Sequence, residues 1–249
     1  MIAFGKSDKG CVRPTNQDAF AIDLQPEAAL LAVCDGMGGA NAGNVASRFA
    51  IESFMGVMRQ SIKPQMDRGY ICDVLVDGVK YANRTVFDLA GAQPEFRGMG
   101  TTLVGGLATG NNLVLANVGD SRAYRIGKNG AERLTQDHSY VEEMLRRGKL
   151  TEEAARSHPQ KNLITRAVGV EPEVDCDLYE VELGEDDILL LCSDGLTGMV
   201  CDEDIAALVT QAADLQAAVD ALIARALENG GADNVTAVLF KRETPEGKE

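Results

Sequence analysis

The sequence predicts an α+β fold built from antiparallel sheets with helices covering them. Three observations point to this fold: short apolar runs occur in groups, two long helical segments interrupt the groups, and turn-type sequences join neighbouring runs. Grouped strands with helices gathered together indicate an α+β arrangement, whereas regular alternation of strand and helix would indicate a parallel sheet.

Six apolar runs have the length of β-strands. They comprise residues 28–34, 101–107, 113–118, 123–126, 188–192 and 235–240. The turn-type sequences Gly-Asn-Asn at 110–112 and Lys-Asn-Gly at 128–130 separate neighbouring runs and favour tight hairpins. We therefore expect most of the strands to pair antiparallel.

Helical periodicity dominates the segments between and after these runs. Residues 44–62 and 67–89 carry helix formers with apolar residues three and four positions apart. A third helix is predicted near the C-terminus, where Gly230 and Gly231 end the pattern. Its apolar face consists of Leu215, Val219, Leu222, Ile223, Ala226 and Leu227. Helices outside stacked sheets would cover all of these faces.

The composition is that of one globular domain. A chain of 249 residues with 45% hydrophobic content can bury a sizeable core. No repeat or Pro/Ser-rich linker divides it, so a single domain is expected over residues 1–242. The polar sequence of residues 243–249 predicts a short disordered tail.

The charge and the cysteines restrict the class of protein. A net charge of −14 argues against binding to nucleic acid or to an anionic membrane, because Lys and Arg normally hold both. Many proteins are acidic for solubility alone, so the charge identifies no partner. The apolar runs are far shorter than the roughly 20 residues of a membrane helix. Six cysteines with neither C-x-x-C spacing nor a secretory leader favour reduced thiols in the cytoplasm.

Aspartates recur at the ends of the predicted strands. Asp35 and Asp194 each follow an apolar run and precede a glycine, Asp120 follows Gly119, and Asp233 stands just before the last strand. Because neighbouring strands end close together, these carboxylates can meet at one rim of a sheet. Each Asp-Gly pair taken alone is also a common turn dipeptide, so the pattern does not prove convergence.

A cluster of these acids would require bound cations, because crowded carboxylates repel one another and shift one another's pKa. Carboxylate, carbonyl and water oxygens are the ligands that Mg²⁺ and Mn²⁺ prefer. A glycine beside Asp35, Asp120 and Asp194 lets the backbone approach an ion and offer its carbonyl. The sequence thus predicts a magnesium or manganese site, provided that the acids converge.

An arginine lies close to a further acid near the N-terminus. Arg13 precedes Asp18 by five residues, and Pro14 keeps this segment out of a regular helix. A guanidinium group can bind a phosphoryl group through two parallel hydrogen bonds, which lysine cannot match. A lone arginine is more often a solvated residue or an ion-pair partner, so its spacing alone assigns no role.

Eight motifs follow one another along almost the whole chain. They are GCVRPTNQDAF (10–20), VCDGMGGANAGNVAS (33–47), GMGTTLVGGL (98–107), NVGDSRAYRI (117–126), LTQDHS (134–139), NLITRAVG (162–169), LLLCSDGLTGMV (189–200) and GADNVTAVL (231–239). In this order they resemble the metal-dependent type 2C Ser/Thr protein phosphatases, specifically the compact bacterial members.

The resemblance implies a fold and a reaction. The fold would be a four-layer αββα sandwich, with two antiparallel sheets flanked by helix pairs. The reaction would be hydrolysis of phosphoserine and phosphothreonine in proteins, with two core ions, Mn²⁺ or Mg²⁺, and a weaker third. A water bridging the core ions would attack phosphorus in line, without a phosphoenzyme.

The resemblance also implies the roles of the core ligands. Asp35 would bridge the two core ions, and the Gly36 carbonyl would bind one of them. Asp194 and Asp233 would complete the coordination of the second ion. Asp18 would act in the metal shell, largely through metal-bound water.

Three further roles are implied outside the core pair. Asp120 together with Asp194 would hold the third ion, and Asn234 would support the ligands without touching a metal. Arg13 would bind the substrate phosphate. The predicted catalytic residues are therefore Arg13, Asp35 and Asp194.

The chain departs from the family pattern at several positions. Met37 stands where animal members have a histidine that acts as general acid, so we expect metal-bound water or solvent to protonate the leaving alkoxide. The two histidines, His138 and His158, are expected to be structural or at the surface. His158 falls in residues 139–165, which resemble the mobile flap of the family. Asn44 is expected to cap the first long helix.

Two other functions are compatible with the sequence. A catalytically weak member of the family would act as a phosphoprotein-binding regulator, although every expected metal aspartate is present. A hydrolase of small phosphoesters would differ only in the surface that faces the substrate. The expected partners are phosphorylated Ser/Thr proteins and a cognate Ser/Thr kinase, and we expect a cytoplasmic monomer.

Overall fold

A computed structural model describes residues 1–38, 42–110, 112–156 and 158–242. The strands are β1 (Ile2–Asp8), β2 (Asp18–Gln25), β3 (Ala28–Met37), β4 (Gly100–Thr101), β5 (Leu103–Thr109), β6 (Asn112–Val118), β7 (Arg122–Gly127), β8 (Gly130–Arg133), β9 (Asp177–Glu180), β10 (Ile188–Cys192) and β11 (Val235–Lys241). The helices are α1 (Gly43–Ser61), α2 (Arg68–Ala92), α3 (Tyr140–Arg146), α4 (Glu152–Arg156), α5 (Asp194–Thr197), α6 (Asp202–Gln211) and α7 (Leu215–Glu228).

The strands form two sheets that are stacked face to face. In the first sheet the order is β1-β11-β10-β7-β8, and in the second it is β2-β3-β5-β6-β9, with β4 paired to the end of β3. Every pairing is antiparallel. Helices α1 and α2 cover the second sheet, whereas α6 and α7 cover the first. The predicted four-layer α+β sandwich is confirmed.

Side-chain alternation along the strands builds three apolar layers. Along β10, Leu190 faces the α6–α7 pair, while Leu189 and Leu191 face the other sheet. Between α1 and the second sheet, Phe54 contacts the position of Gly105 in β5. Because the central strands are buried on both faces, their sequences are mainly apolar, which explains why they could be predicted from the sequence.

The predicted turns and ends have mixed outcomes. The hairpin at 128–130 is confirmed, since Gly127 pairs with Gly130 across β7 and β8. The turn at 110–112 joins two antiparallel strands, but residue 111 lies outside the described ranges. The predicted tail at 243–249 also lies outside them, and the single domain over 1–242 stays a prediction.

The prediction that Asn44 caps the first long helix is wrong. Helix α1 begins one residue earlier, at Gly43, and its N-cap Ala42 has no side-chain oxygen to accept a capping hydrogen bond. Asn44 therefore lies inside the first turn, where its Oδ1 atom is buried without a hydrogen-bond partner. Helix α2 is capped in the usual way, by Asp67 Oδ1 accepting from Tyr70 N at 2.8 Å.

Two further observations concern the cysteines and the helices. Cys11, Cys34, Cys72, Cys176, Cys192 and Cys201 are all free thiols. Among the helices in the described ranges, none is long and apolar enough to cross a bilayer.

Candidate active site and metal centre

The predicted aspartates meet where strands of both sheets end. Asp18 and Asp35 lie opposite each other in the β2–β3 pairing, so Asp35 lies within β3 rather than after it. Asp194 follows β10 and begins α5, and Asp233 lies two residues before β11, the neighbour of β10. Asp120 lies in the turn that carries the chain from β6 in one sheet to β7 in the other. The chain topology thus brings together five acids from distant parts of the sequence.

Burial and mutual repulsion disfavour negative charge in this cluster. Burial, followed by the charges of Asp18 and Asp194, raises the pKa of Asp35 well above its usual range. Burial and then the charge of Asp194 raise the pKa of Asp120 to about 8. Burial raises the pKa of Asp18 to about 6 even though two hydroxyl groups donate to it. Cations bound among these carboxylates would offset both penalties.

The donor atoms fit hard divalent cations. Asp18 Oδ1 and Asp194 Oδ1 are buried and accept no hydrogen bond from the protein. Buried carboxylate oxygens without a donor are costly unless a cation satisfies them, and oxygen ligands suit Mg²⁺ and Mn²⁺. In the described part of the chain, no three His, Cys, Asp or Glu side chains are arranged closely enough to define an ion position on their own. The fit therefore rests on the type of donor and on these two oxygens.

Asp18 is fixed by one of its two oxygens. Oδ2 accepts from Ser193 Oγ and from Thr236 Oγ1, each at 2.7 Å. Ser193 directly follows β10 and Thr236 lies within β11, two neighbouring strands of the first sheet, whereas Asp18 begins the edge strand of the second. These hydrogen bonds tie the two sheets together beside the cluster and leave Oδ1 available to another ligand.

Asp35 is held through its backbone by two threonines. Its N–H donates to Thr102 Oγ1 at 2.8 Å, and its carbonyl accepts from Thr102 N at 2.9 Å and from Thr101 Oγ1 at 2.8 Å. Thr102 Oγ1 also lies 2.7 Å from Ser121 Oγ, next to Asp120. All three hydroxyl residues are buried, so this network fixes Asp35 relative to the turn that carries Asp120.

Gly36 occupies a place where no side chain fits. A Cβ atom at this position would lie 2.0 Å from the carbonyl oxygen of Gly43 and 2.7 Å from that of Gln17. The backbone of β3 therefore touches the first turn of α1 directly beside Asp35. This contact explains the glycine at position 36 and places its peptide group next to the cluster.

Arg13 lies at the exposed edge of the cluster. Its Nη2 atom donates to Asp233 Oδ2 at 2.7 Å, and 51% of its side chain is exposed. The hydrogen bond and the charge of Asp233 raise the pKa of Arg13, and Asp35 and Asp194 add to the effect. The guanidinium is thus close to the acids and still open to solvent, where an incoming phosphate can reach its remaining donors.

Asn234 fastens the loop that carries Arg13. Its Oδ1 accepts from Gln17 N at 2.8 Å, and its Nδ2 donates to Lys9 O at 2.8 Å and to Thr15 O at 3.0 Å. Its own N–H donates to Asp233 Oδ1 at 2.8 Å. Asn234 thus holds the loop of residues 9–17 beside Asp233, and its support of the metal ligands stays a prediction.

The two histidines and Met37 lie outside the acid cluster. His138 is buried, and its contacts join loops rather than acids of the cluster. His158 lies beside Tyr140, with the ring centres 5.6 Å apart. Met37 Cε packs beside Gly100, where a Cβ atom would lie 2.9 Å from it. The contacts of these three residues are thus with loops and neighbouring side chains rather than with the five aspartates of the cluster.

Sequence reasoning missed the hydroxyl residues that hold the acids. Their motifs were recognised, but no role was assigned to their side chains: Thr101, Thr102, Ser121, Ser193 and Thr236. The only indication in the sequence was that a hydroxyl residue interrupts or flanks an apolar run that is otherwise fully buried.

Comparisons with known proteins identify the family of this chain. The profile of the protein phosphatase 2C family matches residues 13–239. The serine/threonine phosphatase stp of Listeria monocytogenes is 36% identical over an alignment of 254 positions, which covers 100% of this chain and 99% of that protein.

Solved structures are similar over the same length. The serine/threonine phosphatase Stp1 from Staphylococcus aureus has a TM-score of 0.91 and 38% identity, covering 97% of this chain and 95% of that one. The catalytic domain of the serine/threonine phosphatase PstP, in complex with two manganese ions, has a TM-score of 0.83 and 34% identity, covering 96% of each chain.

Proposed function

Since this chain belongs to the protein phosphatase 2C family and is a metal-dependent Ser/Thr protein phosphatase, we propose that its acid cluster is the centre that releases phosphate from phosphoserine and phosphothreonine. The observation that carries the proposal is the convergence of five aspartates, two of which have buried oxygens without a donor. When bound, two divalent ions would lower the pKa of a water molecule that they share and so supply the hydroxide that attacks phosphorus. The manganese in the PstP structure supports Mn²⁺ as the ion, with Mg²⁺ as the alternative.

The core ligands would divide their roles by position. Asp35, which interacts electrostatically with Asp18, Asp194 and Asp120, would bridge the two core ions. The Gly36 carbonyl would bind one of them. Asp194 and Asp233 would hold the second ion. Asp18, with one oxygen already bound to hydroxyls, would act through metal-bound water.

Other residues of the chain would act on the third ion, the substrate and the leaving group. Asp120 and Asp194 would hold the third, weaker ion, since the charge of Asp194 acts on Asp120 and, after burial, raises its pKa. Arg13 would bind phosphoryl oxygens with the donors that Asp233 does not use. Met37 has no proton to give, so the seryl or threonyl alkoxide would be protonated from water. A cognate kinase, a cytoplasmic location and a monomeric state stay predictions.

Phosphate release from a phosphothreonine peptide and from an aryl phosphate, with Mn²⁺ and with chelator, tests the proposal. Asp194→Ala is expected to lower kcat/KM by at least about 10³-fold, the equivalent of about 4 kcal/mol in the barrier. Asp186→Ala is the control, because Asp186 is exposed and lies just before the start of β10, whereas Asp194 follows the end of that strand. This variant should change the rate by less than about twofold. No Mn²⁺-dependent release from either compound would make the chain a binding protein. Turnover of the aryl phosphate alone would refute the protein substrate.

Arg13→Ala is expected to raise KM by roughly tenfold or more, because a charge-assisted hydrogen bond to phosphate is lost. The Mn²⁺ concentration for half-maximal rate should not rise, since the variant removes a positive charge that lies against Asp233. Arg13→Lys is the matched control and should be intermediate, because lysine keeps the charge without the two parallel donors. Steady-state kinetics at several Mn²⁺ concentrations separates the effects, and an unchanged KM with weaker metal binding would contradict the phosphate role.

A further inference from the structure

The segment that resembles the flap leaves and re-enters the fold at one narrow point. Ser139 pairs with Ile164, and Thr165 N donates to His138 O at 2.8 Å. We call residues 138–139 and 164–165 the neck. Helices α3 and α4 lie in the segment beyond it. The segment also contacts the sandwich through Glu142 of α3, which accepts from Arg133 of β8 at 3.3 Å, and the neck is its covalent connection to the fold.

His138 joins the neck to the turn that carries Asp120. Its backbone N–H donates to Gly119 O at 2.9 Å, and its ring nitrogen Nδ1 accepts from Gly119 N at 3.0 Å. Both polar groups of Gly119 are thus bound to one histidine. Gly119 has a φ of +104°, and a Cβ there would lie 2.6 Å from Thr102 Cγ2, so the turn packs closely against Thr102 and favours glycine.

These contacts fix the state of the His138 ring. Because Nδ1 accepts from Gly119, the ring proton is on Nε2, which faces Asp177 Oδ2 at 3.2 Å. Arg166 Nη1 lies 3.1 Å from the same nitrogen, but it donates to Asp177 Oδ1 at 2.8 Å. Arg166 follows Thr165 of the neck directly. The ring therefore links the Gly119 turn on one side to the end of the neck on the other.

The same turn is also bound from the side of the acid cluster. Ser121 Oγ shares a hydrogen bond with Thr102 Oγ1, which accepts from Asp35 N. Asp120 thus lies between two anchors, His138 and Ser121. A continuous series of hydrogen bonds runs from the neck through His138 and the turn to Asp35.

We propose that His138 is a positioning residue that couples the 139–164 segment to the third ion by holding the Gly119–Asp120 turn through Nδ1. The inference rests on the proposed function, since it takes Asp120 as a ligand of the weaker ion. His138 itself touches neither substrate nor metal. Its effect on turnover comes from where it holds the Asp120 carboxylate.

Two substitutions separate this role from simple packing. In His138→Asn the side-chain oxygen can take the place of Nδ1 and accept from Gly119 N. In His138→Gln the longer side chain reaches towards the position of Nε2, so the Gly119 N–H has no acceptor. Both variants remove the ring, so they lose similar apolar contact. The pair is therefore a matched test of one hydrogen bond.

Amide hydrogen exchange at Gly119, measured by NMR in metal-free protein, is expected to be roughly tenfold faster in His138→Gln and close to wild type in His138→Asn. The Mn²⁺ concentration for half-maximal turnover of an aryl phosphate should rise by roughly tenfold in His138→Gln only. Calorimetry should still find two tightly bound Mn²⁺ ions in both variants.

Equal defects in the two variants would overturn the proposal, because the ring would then act by packing alone. A difference in exchange without a difference in Mn²⁺ requirement would overturn the coupling to the ion. If His138→Gln does not fold, a weakened Mn²⁺ response in folded His138→Asn would by itself refute the role of Nδ1. Failure of the proposed function looks different, since the wild-type protein would then release no phosphate with Mn²⁺.

Discussion

Asp35→Asn is expected to abolish phosphate release and, at the same time, to stabilise the metal-free protein. The amide keeps the shape of the side chain but cannot bridge two cations, so kcat/KM should fall by at least about 10³-fold. Removal of the charge relieves repulsion with Asp18, Asp194 and Asp120 at a buried site. In chelator at pH 8, the melting temperature should therefore rise by about 3 °C or more.

The gain in stability should depend on pH with a definite sign. An acid whose pKa is raised in the folded state destabilises the fold once the pH exceeds its unfolded value near 4, and the penalty grows until the pH passes the folded value. The metal-free wild type should thus lose stability as the pH rises above about 4, whereas the variant has no such loss from position 35. At pH 5 the two proteins should melt at closer temperatures than at pH 8.

Mn²⁺ should reverse the order of stability. A cation that binds only the folded state stabilises it by mass action, so saturating Mn²⁺ should raise the melting temperature of the wild type strongly and that of Asp35→Asn weakly. Asp186→Asn, a substitution at an exposed aspartate, is the control and should show no gain in chelator. Retained turnover, or a lower melting temperature of Asp35→Asn in chelator at pH 8, would contradict the assignment of Asp35.

The strands that the sequence revealed are the central ones. Runs such as those of β3, β10 and β11 are apolar on both faces because one face packs on helices and the other on the second sheet. The strands without a predicted run include all four sheet edges: β1, β8, β2 and β9. Edge strands contain polar and exposed residues, for example Lys6 and Ser7 in β1. No continuous apolar run therefore marks an edge strand in the sequence.

The acids of the site could be predicted, but their supports could not. An aspartate beside a glycine after an apolar run is common on its own, but its repetition along the chain and the motifs around it single these acids out. A threonine such as Thr236 in an apolar strand reads as an ordinary strand residue. Its partner Asp18 is 218 positions away, and local sequence contains no information about that contact. The fold alone determines which hydroxyl meets which acid.

Gly36→Ala is expected to cost about 3 kcal/mol or more in the free energy of unfolding and to impair metal binding. The new Cβ would lie 2.0 Å from Gly43 O, 2.5 Å from Gly43 C and 2.7 Å from Gln17 O, all of which are backbone atoms. Side chains can rotate away from a clash, but here β3 or α1 must move. Asp35 is the preceding residue, so the movement displaces the carboxylate that would bridge the ions.

Gly56→Ala is the matched control for this prediction. Gly56 lies in α1, the helix that Gly36 touches, and a Cβ there has no atom within 4 Å. Alanine favours the helix over glycine by about 0.5–1 kcal/mol, so this variant should melt slightly above wild type and keep full turnover. Thermal unfolding in chelator and Mn²⁺ binding by calorimetry distinguish the two. Gly36 does not have a positive φ, so the cost of the Gly36→Ala substitution is steric alone. A Gly36→Ala protein that melts like wild type would show that β3 and α1 are less tightly packed beside Asp35 than these distances require.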